Sequence, residues 1–372
     1  MSQVELGPIR PPSEANSMLL RVTRNCPWNR CKFCTLYKDE KFSPRSVEEI
    51  KSDIDVMYGY KKILTELNQA ELQKKLAGLN SEERYHIYSM ANWLQSAEKS
   101  VFLQDANSIV LKSEKLAEAL QYLNEKFPEI GRITSYARAD TLARLSLEDL
   151  KLLRKSGLDR IHSGYETGSD NILKMISKGT TQQQQIEGGK KVKEAGMELS
   201  IYYMPGVGGK EHWEESAIET AKVVNSVNPD FLRIRTFVVK EESGMWYDMK
   251  SGIYTQCTDY EKVIELESMI KELNNITTTI KSDHIVNLLE NVEGKMMGDK
   301  NIILSRIKEL HDLKEEDRRF YQLARRMATV RNISDVSSLS LNQKRQIGHI
   351  LSNLNSEEKF EGTLNELLRR YI

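Results

Sequence analysis

The chain has no net charge: 54 lysines and arginines balance 54 aspartates and glutamates. A dedicated nucleic-acid protein carries a basic excess or a basic stripe, so nucleic acid is not the expected partner. No run approaches the roughly 20 apolar residues that cross a bilayer. The opening stretch, MSQVELGPIRPPSEANS, lacks the apolar core of a secretory signal. These absences predict a cytoplasmic protein with no membrane partner. Cysteine is scarce as well. There are four in 372 residues, and three of them, Cys26, Cys31 and Cys34, fall within nine positions. A disulfide framework would spread its cysteines to staple distant segments. Clustered thiols in a chain without an export signal point instead to metal or redox work in a reducing compartment. No repeat of 20–50 residues is present, which excludes a solenoid or propeller.

What is present is alternation. Six β-like runs, at 18–24, 100–104, 132–137, 159–163, 199–204 and 231–238, are followed by helical patterns at 113–126, 146–155, 181–195 and 211–227. Ser113 and Ser146 stand where N-caps belong, and Gly157 and Gly196 follow helix ends that want a left-handed residue. Regular βα alternation predicts an α/β fold, a partial (β/α)6 TIM-like barrel with its chemistry at the C-terminal ends of the strands. The charged stretch from 47 to 99 reads as the first barrel helix plus a helical insertion over about 59–99. Beyond Val239 the alternation stops, and helical patterns at 260–274 and 300–314 lead into a small bundle over 316–372. The expected organisation is a 1–17 extension, an 18–240 barrel and a mostly helical 241–372 extension.

The strongest chemical signal is Cys26-Pro-Trp-Asn-Arg-Cys31-Lys-Phe-Cys34, directly after the first strand. Thiolates bind soft iron and zinc, and three close ones can share a cuboidal cluster while leaving one iron open. A structural zinc site wants a fourth ligand, and no His or Cys follows at a short spacing. Cys257 and His162 are distant and would have to fold back. Cys257, without a cysteine neighbour, reads as a structural thiol.

This spacing, with Phe33 just before the third cysteine, resembles the radical S-adenosylmethionine superfamily, although four residues rather than the common three separate the first two cysteines. The resemblance runs over roughly 19–239. It implies an enzyme in which Cys26, Cys31 and Cys34 hold a [4Fe-4S] cluster whose open iron chelates S-adenosylmethionine. Reductive cleavage then yields a 5′-deoxyadenosyl radical that abstracts hydrogen. It also implies a flavodoxin- or ferredoxin-type electron donor and anaerobic handling. Gly164-Tyr-Glu166-Thr-Gly-Ser169 resembles the family's Gly-x-Glu-Ser-Gly-Ser element, with Thr167 for the first serine, which implies that Glu166 holds polar groups of S-adenosylmethionine. Met204-Pro-Gly206-Val-Gly208-Gly209 resembles the segment whose backbone approaches the adenine, and glycine permits such an approach sterically. Where the family often has Gly-Gly-Glu after the second strand, this chain has Gln104-Asp105-Ala106-Asn107. Asp105 or Asn107 would have to substitute there.

Strand alternation adds candidates. In 231–238, Leu232, Ile234 and Val238 should face the helices, and Phe231, Arg233, Arg235 and Phe237 should face inward. Two inward arginines are costly unless they bind anions, so they suit the S-adenosylmethionine carboxylate and an acidic substrate. The alternative is an internal salt bridge, for instance with Glu166 or Asp105. The same reasoning turns Tyr136 and Arg138 inward, with Arg138 a cofactor-binding candidate, and likewise His162, Ser200 and Tyr202. His162 is more often a hydrogen-bonded core residue. Tyr202 is either a hydrogen-atom donor or packing. Ser282-Asp283-His284, after a β-like run at 276–280, is a candidate to cap the barrel mouth near the substrate, with His284 as a catalytic candidate. Three functions compete: radical chemistry on a small or medium, anionic metabolite; radical chemistry on RNA; and a non-catalytic iron–sulfur electron carrier. The RNA function requires a basic rim from Lys61, Lys62, Lys74, Lys75, Arg318, Arg319, Arg325 and Arg326.

Overall fold

The computed structural model describes residues 4–371. They form two compact units. The first takes the chain up to Asn29, then Asp39–Ser163 and Glu187–Leu199. The second takes Arg30–Lys38, Gly164–Ile186 and the chain from Ser200 onward. This division follows contacts rather than sequence order.

In the first unit, strands β1 (Met18–Arg21), β2 (Ser100–Gln104), β3 (Arg132–Tyr136) and β4 (Leu158–Glu166) pair in that order. The first three pairings are parallel, with Leu20 beside Leu103, Phe102 beside Thr134 and Thr134 beside Arg160. Every residue of β2 is buried, as a strand covered on both faces must be. The first strand stops at Arg21. Residues 23 and 24 turn away to pair antiparallel with residues 43 and 44, so the expected 18–24 run is broken. Three helices occupy the long gap: α1 (Val47–Glu66), α2 (Gln69–Ala77) and α3 (Ser81–Gln95). Each opens on a reciprocal capping box, Ser46 with Glu49, Asn68 with Glu71 and Asn80 with Glu83.

Helix α4 (Ser113–Lys126) begins where expected, but its N-cap is Lys112, and Ser113 is its buried first residue. The Ser113 hydroxyl serves Asp149 instead of its own helix end. After α5 (Ala139–Arg144), α6 (Leu147–Lys155) has Ser146 as its N-cap, as expected, in a capping box with Asp149. Gly157 and Gly196 are left-handed, with φ of 107° and 77°.

The second unit carries α7 (Asp170–Met175), the start of α8 (Gln182–Glu194), most of β5 (Glu198–Tyr203) and α9 (Trp213–Val227). β6 (Phe231–Ile234), α10 (Gly244–Lys250) and α11 (Asp259–Glu272) follow. Its strand order is β4-β5-β6, continued by two further strands, β7 (Thr279–Lys281) and β8 (Gly294–Lys295). β7 joins β6 in parallel, with Ile280 beside Leu232, so the sheet extends past the six strands expected. The strand order is open at both ends, β1 and β8, among the described residues, and no closed barrel forms. β6 ends at Ile234, four residues short of expectation, because the Asn287 side chain takes over. Its Nδ2 donates to the Ile234 carbonyl at 2.8 Å, and its Oδ1 accepts from the Thr236 N–H at 2.9 Å. Helices α12 (Met296–His311), α13 (Glu315–Arg326), α14 (Leu341–Asn353) and α15 (Glu357–Arg369) complete the unit. No described helix is long and apolar enough to cross a membrane.

Candidate active site

In the first unit the cysteine motif begins on a turn made by two left-handed asparagines, Asn25 (φ 68°) and Asn29 (φ 47°). Asparagine tolerates that conformation better than most side chains. The Asn29 N–H points at the Cys26 sulfur, 3.4 Å away. Asp105, fully buried, fixes the turn: its Oδ2 accepts from the Asn25 N–H at 3.0 Å and from Arg21 Nε at 2.8 Å. Asn107 ties the neighbouring loop, accepting from the Arg138 N–H at 3.1 Å and donating to Thr141 Oγ1 at 2.9 Å. Arg138 pairs with Asp140 at 2.8 Å, and its guanidinium lies 5.2 Å from the centre of the Trp28 ring, inside the cysteine motif. Three sequence candidates, Asp105, Asn107 and Arg138, therefore gather around the segment that carries Cys26.

His162 is buried against Phe102 and Tyr136, with Nε2 3.3 Å from Glu14. Burial pulls the Glu14 carboxyl upward, but bonding to His162 and Ser17 and the nearby charges of His162 and Arg132 hold it below its ordinary value. His162 is thus a hydrogen-bonded core residue.

In the second unit Cys31 is buried and Cys34 half-buried. The segment between them is pinned through Lys32. Its N–H donates to the Ile176 carbonyl at 2.9 Å, its carbonyl accepts from the Met245 N–H at 3.1 Å, and its ammonium meets Asp248 at 2.7 Å. All four cysteines are free thiols. A cuboidal cluster asks each thiolate to meet a different iron, and the all-thiol donor set of the motif suits it.

Glu166 ends β4 with φ of 61°. A Cβ on Gly164 would stand 2.4 Å from Glu166 Oε1, so glycine is needed there to seat the carboxylate. Lys178 bonds directly to Glu166, and its ammonium lies 5.7 Å from the Phe33 ring centre. Lys178 was not among the sequence candidates, because nothing local distinguishes it from a solvated lysine. Gly206 (φ 92°) accepts no side chain, since a Cβ would press on Lys262 at 2.9 Å, and a Cβ on Gly208 would meet Ile172 at the same distance.

The two arginines of the β6 segment part company. Arg233 is buried and makes the internal salt bridge, but with Asp283 at 2.6 Å rather than with Glu166 or Asp105. Its Nε also donates to Ser200 at 3.1 Å. Arg235, placed inward by alternation, is exposed because the strand has already ended. Tyr202 is half-buried and in register with Arg233. His284 is half-buried, and its Nδ1 accepts from the Val286 N–H at 3.3 Å. Burial, with repulsion from Arg235 and Arg325, pushes its pKa down to about 4, so it is neutral at pH 7. The basic rim that the RNA function requires is depleted. Arg325 and Arg326 are buried in ion pairs with Glu290 and Asp259, Arg319 meets Glu357 and Lys61 meets Glu129.

Residues 90–220 match the Radical SAM superfamily. The heme chaperone HemW of Bacillus subtilis is 25% identical over 177 residues, 47% of this chain and 46% of the relative. The 4'-phospho-dehydrooxetanocin synthase of Priestia megaterium is 22% identical over 95% of this chain and 49% of its own length. The chain thus spans about half the length of the curated relatives it matches. Among solved structures, methylornithine synthase (PylB) aligns over 79% of this chain and 81% of its own, with 14% identity and a TM-score of 0.44.

Proposed function

We propose that this chain, whose residues 90–220 match the Radical SAM superfamily, is a radical enzyme acting on a small or medium, anionic metabolite. Such enzymes use a [4Fe-4S] cluster and S-adenosylmethionine. Cys26, Cys31 and Cys34 would each hold one iron. Held there, a cluster would supply the electron for reductive cleavage of S-adenosylmethionine. Glu166 accepts hydrogen bonds from the ligand's hydroxyl or ammonium groups, with Lys178 fixing one of its oxygens. The backbone of residues 204–209 would border the adenine. Asp105 holds the turn before Cys26, Asn107 ties the loop after β3, and Arg138 covers Trp28. The exposed Arg235 offers positive charge to an anionic substrate, and Arg233 would add to it on leaving Asp283. Tyr202 stands beside Arg233 as a candidate hydrogen donor, and the neutral His284 is a candidate proton acceptor.

One observation carries this reading. Lys178 touches both the carboxylate of the Gly-x-Glu element and the aromatic ring of the cysteine motif. Two motifs far apart in sequence, one holding Phe33 and the other Glu166, thereby share one cation. An electron carrier has no use for that arrangement. A flavodoxin or ferredoxin would supply the electron, and the α1–α3 insertion and the extension beyond residue 240 would shape substrate choice.

The test is anaerobic reconstitution, addition of S-adenosylmethionine and dithionite, and detection of 5′-deoxyadenosine by mass spectrometry. The control has Cys26, Cys31 and Cys34 changed to Ala. Product from the wild type alone is expected. A verified four-iron cluster that yields no product and whose EPR spectrum ignores S-adenosylmethionine would favour an electron carrier.

A further inference from the structure

Gly206 is held by a part of the chain that lies beyond the six-strand alternation. Its N–H donates to Glu265 Oε2 at 2.6 Å, and its carbonyl accepts from the Tyr254 hydroxyl at 2.6 Å. Its α-carbon faces the stem of Lys262. Glu265 and Lys262 stand on α11, and Tyr254 lies just before it. Glu265 is fully buried and also accepts from the Tyr203 hydroxyl at 2.7 Å and from Ser216 on α9. A carboxylate buried so completely is costly unless its bonds are needed. Here Glu265 and Tyr254 together grip the N–H and the carbonyl of one left-handed residue.

We propose that Glu265 and Tyr254 are positioning residues that set the backbone of residues 204–209 for the adenosyl part of the ligand. The proposal rests on the function proposed above, in which that backbone borders S-adenosylmethionine. It makes α11 part of the cofactor-binding apparatus, although no residue of α11 need touch the ligand.

Protonation should loosen the grip. Burial raises the Glu265 carboxyl to about 7, against the hydrogen bonds from Tyr203, Ser216 and the Gly206 N–H and the charge of Lys262. The other titratable groups facing it are Tyr203 and Tyr254, both raised far above their ordinary value, and the Cys257 thiol, pushed up to about 12. None of these three changes charge near pH 7, so Glu265 is the group that titrates. A proton on Glu265 removes the negative charge that strengthens its bond from the Gly206 N–H.

The test uses the full reconstituted protein, with 5′-methylthioadenosine as the binding probe and amide hydrogen exchange as a second readout. Loss of a hydrogen bond to a charged acceptor should change a local opening equilibrium by about tenfold. Glu265→Ala is therefore expected to speed exchange in residues 204–209 and weaken probe binding by about that factor. Tyr254→Phe, which removes only one hydroxyl, should do the same more weakly. Glu265→Gln keeps an acceptor for Gly206. As a neutral mimic of the protonated carboxyl, it should bind better than Glu265→Ala, like wild type below pH 7, and show no further fall in affinity as pH drops through about 7. Variants that melt earlier but bind and exchange like wild type would overturn the proposal and leave Glu265 a core residue. A wild type that binds no probe and makes no 5′-deoxyadenosine would overturn the parent reading, and this one with it.

Discussion

The pair between Asp259, at the first turn of α11, and Arg326, at the end of α13, gives a sharp stability prediction. Their side chains are 2% and 1% exposed, and two parallel bonds of 2.7 Å join them. Burial alone would raise the Asp259 carboxyl, yet the charge and bonds of Arg326 hold it below its ordinary value. Asp259→Asn keeps the shape and leaves a buried guanidinium without its counter-charge. Removing one member of such a pair costs about 3–5 kcal/mol. The double variant Asp259→Leu with Arg326→Met removes both charges and should recover most of that loss, since apolar replacement of a whole buried pair is often neutral. Guanidinium unfolding at pH 7, followed by far-UV circular dichroism, measures all three. A second readout is Glu361, whose carboxyl is pushed up to about 7 by burial and by the charge of Asp259. In Asp259→Asn its titration should move down. A single-variant loss below about 1 kcal/mol, or a double variant no more stable than the single, would refute the argument that burial sets the magnitude.

Three further outcomes are expected. Lys178→Met should raise the KM for S-adenosylmethionine by about tenfold with a smaller effect on kcat, because Glu166 loses its cation; equal kcat and KM to wild type would detach Lys178 from the site. Asp283→Asn should tighten binding of an anionic substrate, or of sulfate as a probe, by several-fold, since it releases Arg233 from its half-exposed partner; calorimetric titration decides. His284 has a folded pKa near 4 against an ordinary 6.5, so the unfolded chain binds the extra proton between those values. Stability from this group is present above 6.5 and is lost as pH falls toward 4, by at most ~3 kcal/mol. The difference in unfolding free energy between wild type and His284→Gln should change across that window, and a flat difference would contradict the shift.

Local signals were legible where the physics is local. The buried run of β2, the helix over 113–126, the Ser146 cap and the left-handed Gly157 all follow from neighbours in sequence. Ser113 misled because a serine at a helix start can spend its hydroxyl on another element, here Asp149. The length of β6 was overestimated because its end is set by Asn287, more than fifty residues away. The partners of the candidate residues were hidden for the same reason. Arg233 was flagged as a costly buried charge, but Asp283, which neutralises it, lies fifty positions on. Lys178 and Glu265 carry no pattern of their own. Their roles exist only after the chain has brought Phe33, Glu166 and Gly206 to them.

The grip on Gly206 also bears on how such proteins exchange parts. A βα-repeat scaffold invites recombination, in which one lineage keeps the strands and acquires a new C-terminal region. Here the peptide between β5 and α9 is shaped by side chains near residues 254 and 265. A graft that replaced everything after β6 would therefore inherit a left-handed glycine with nothing to hold it. The incoming segment would have to bring its own buried carboxylate and hydroxyl at matching heights, or the recipient would have to abandon glycine at 206. Inheritance of the two regions as one block is the simpler outcome.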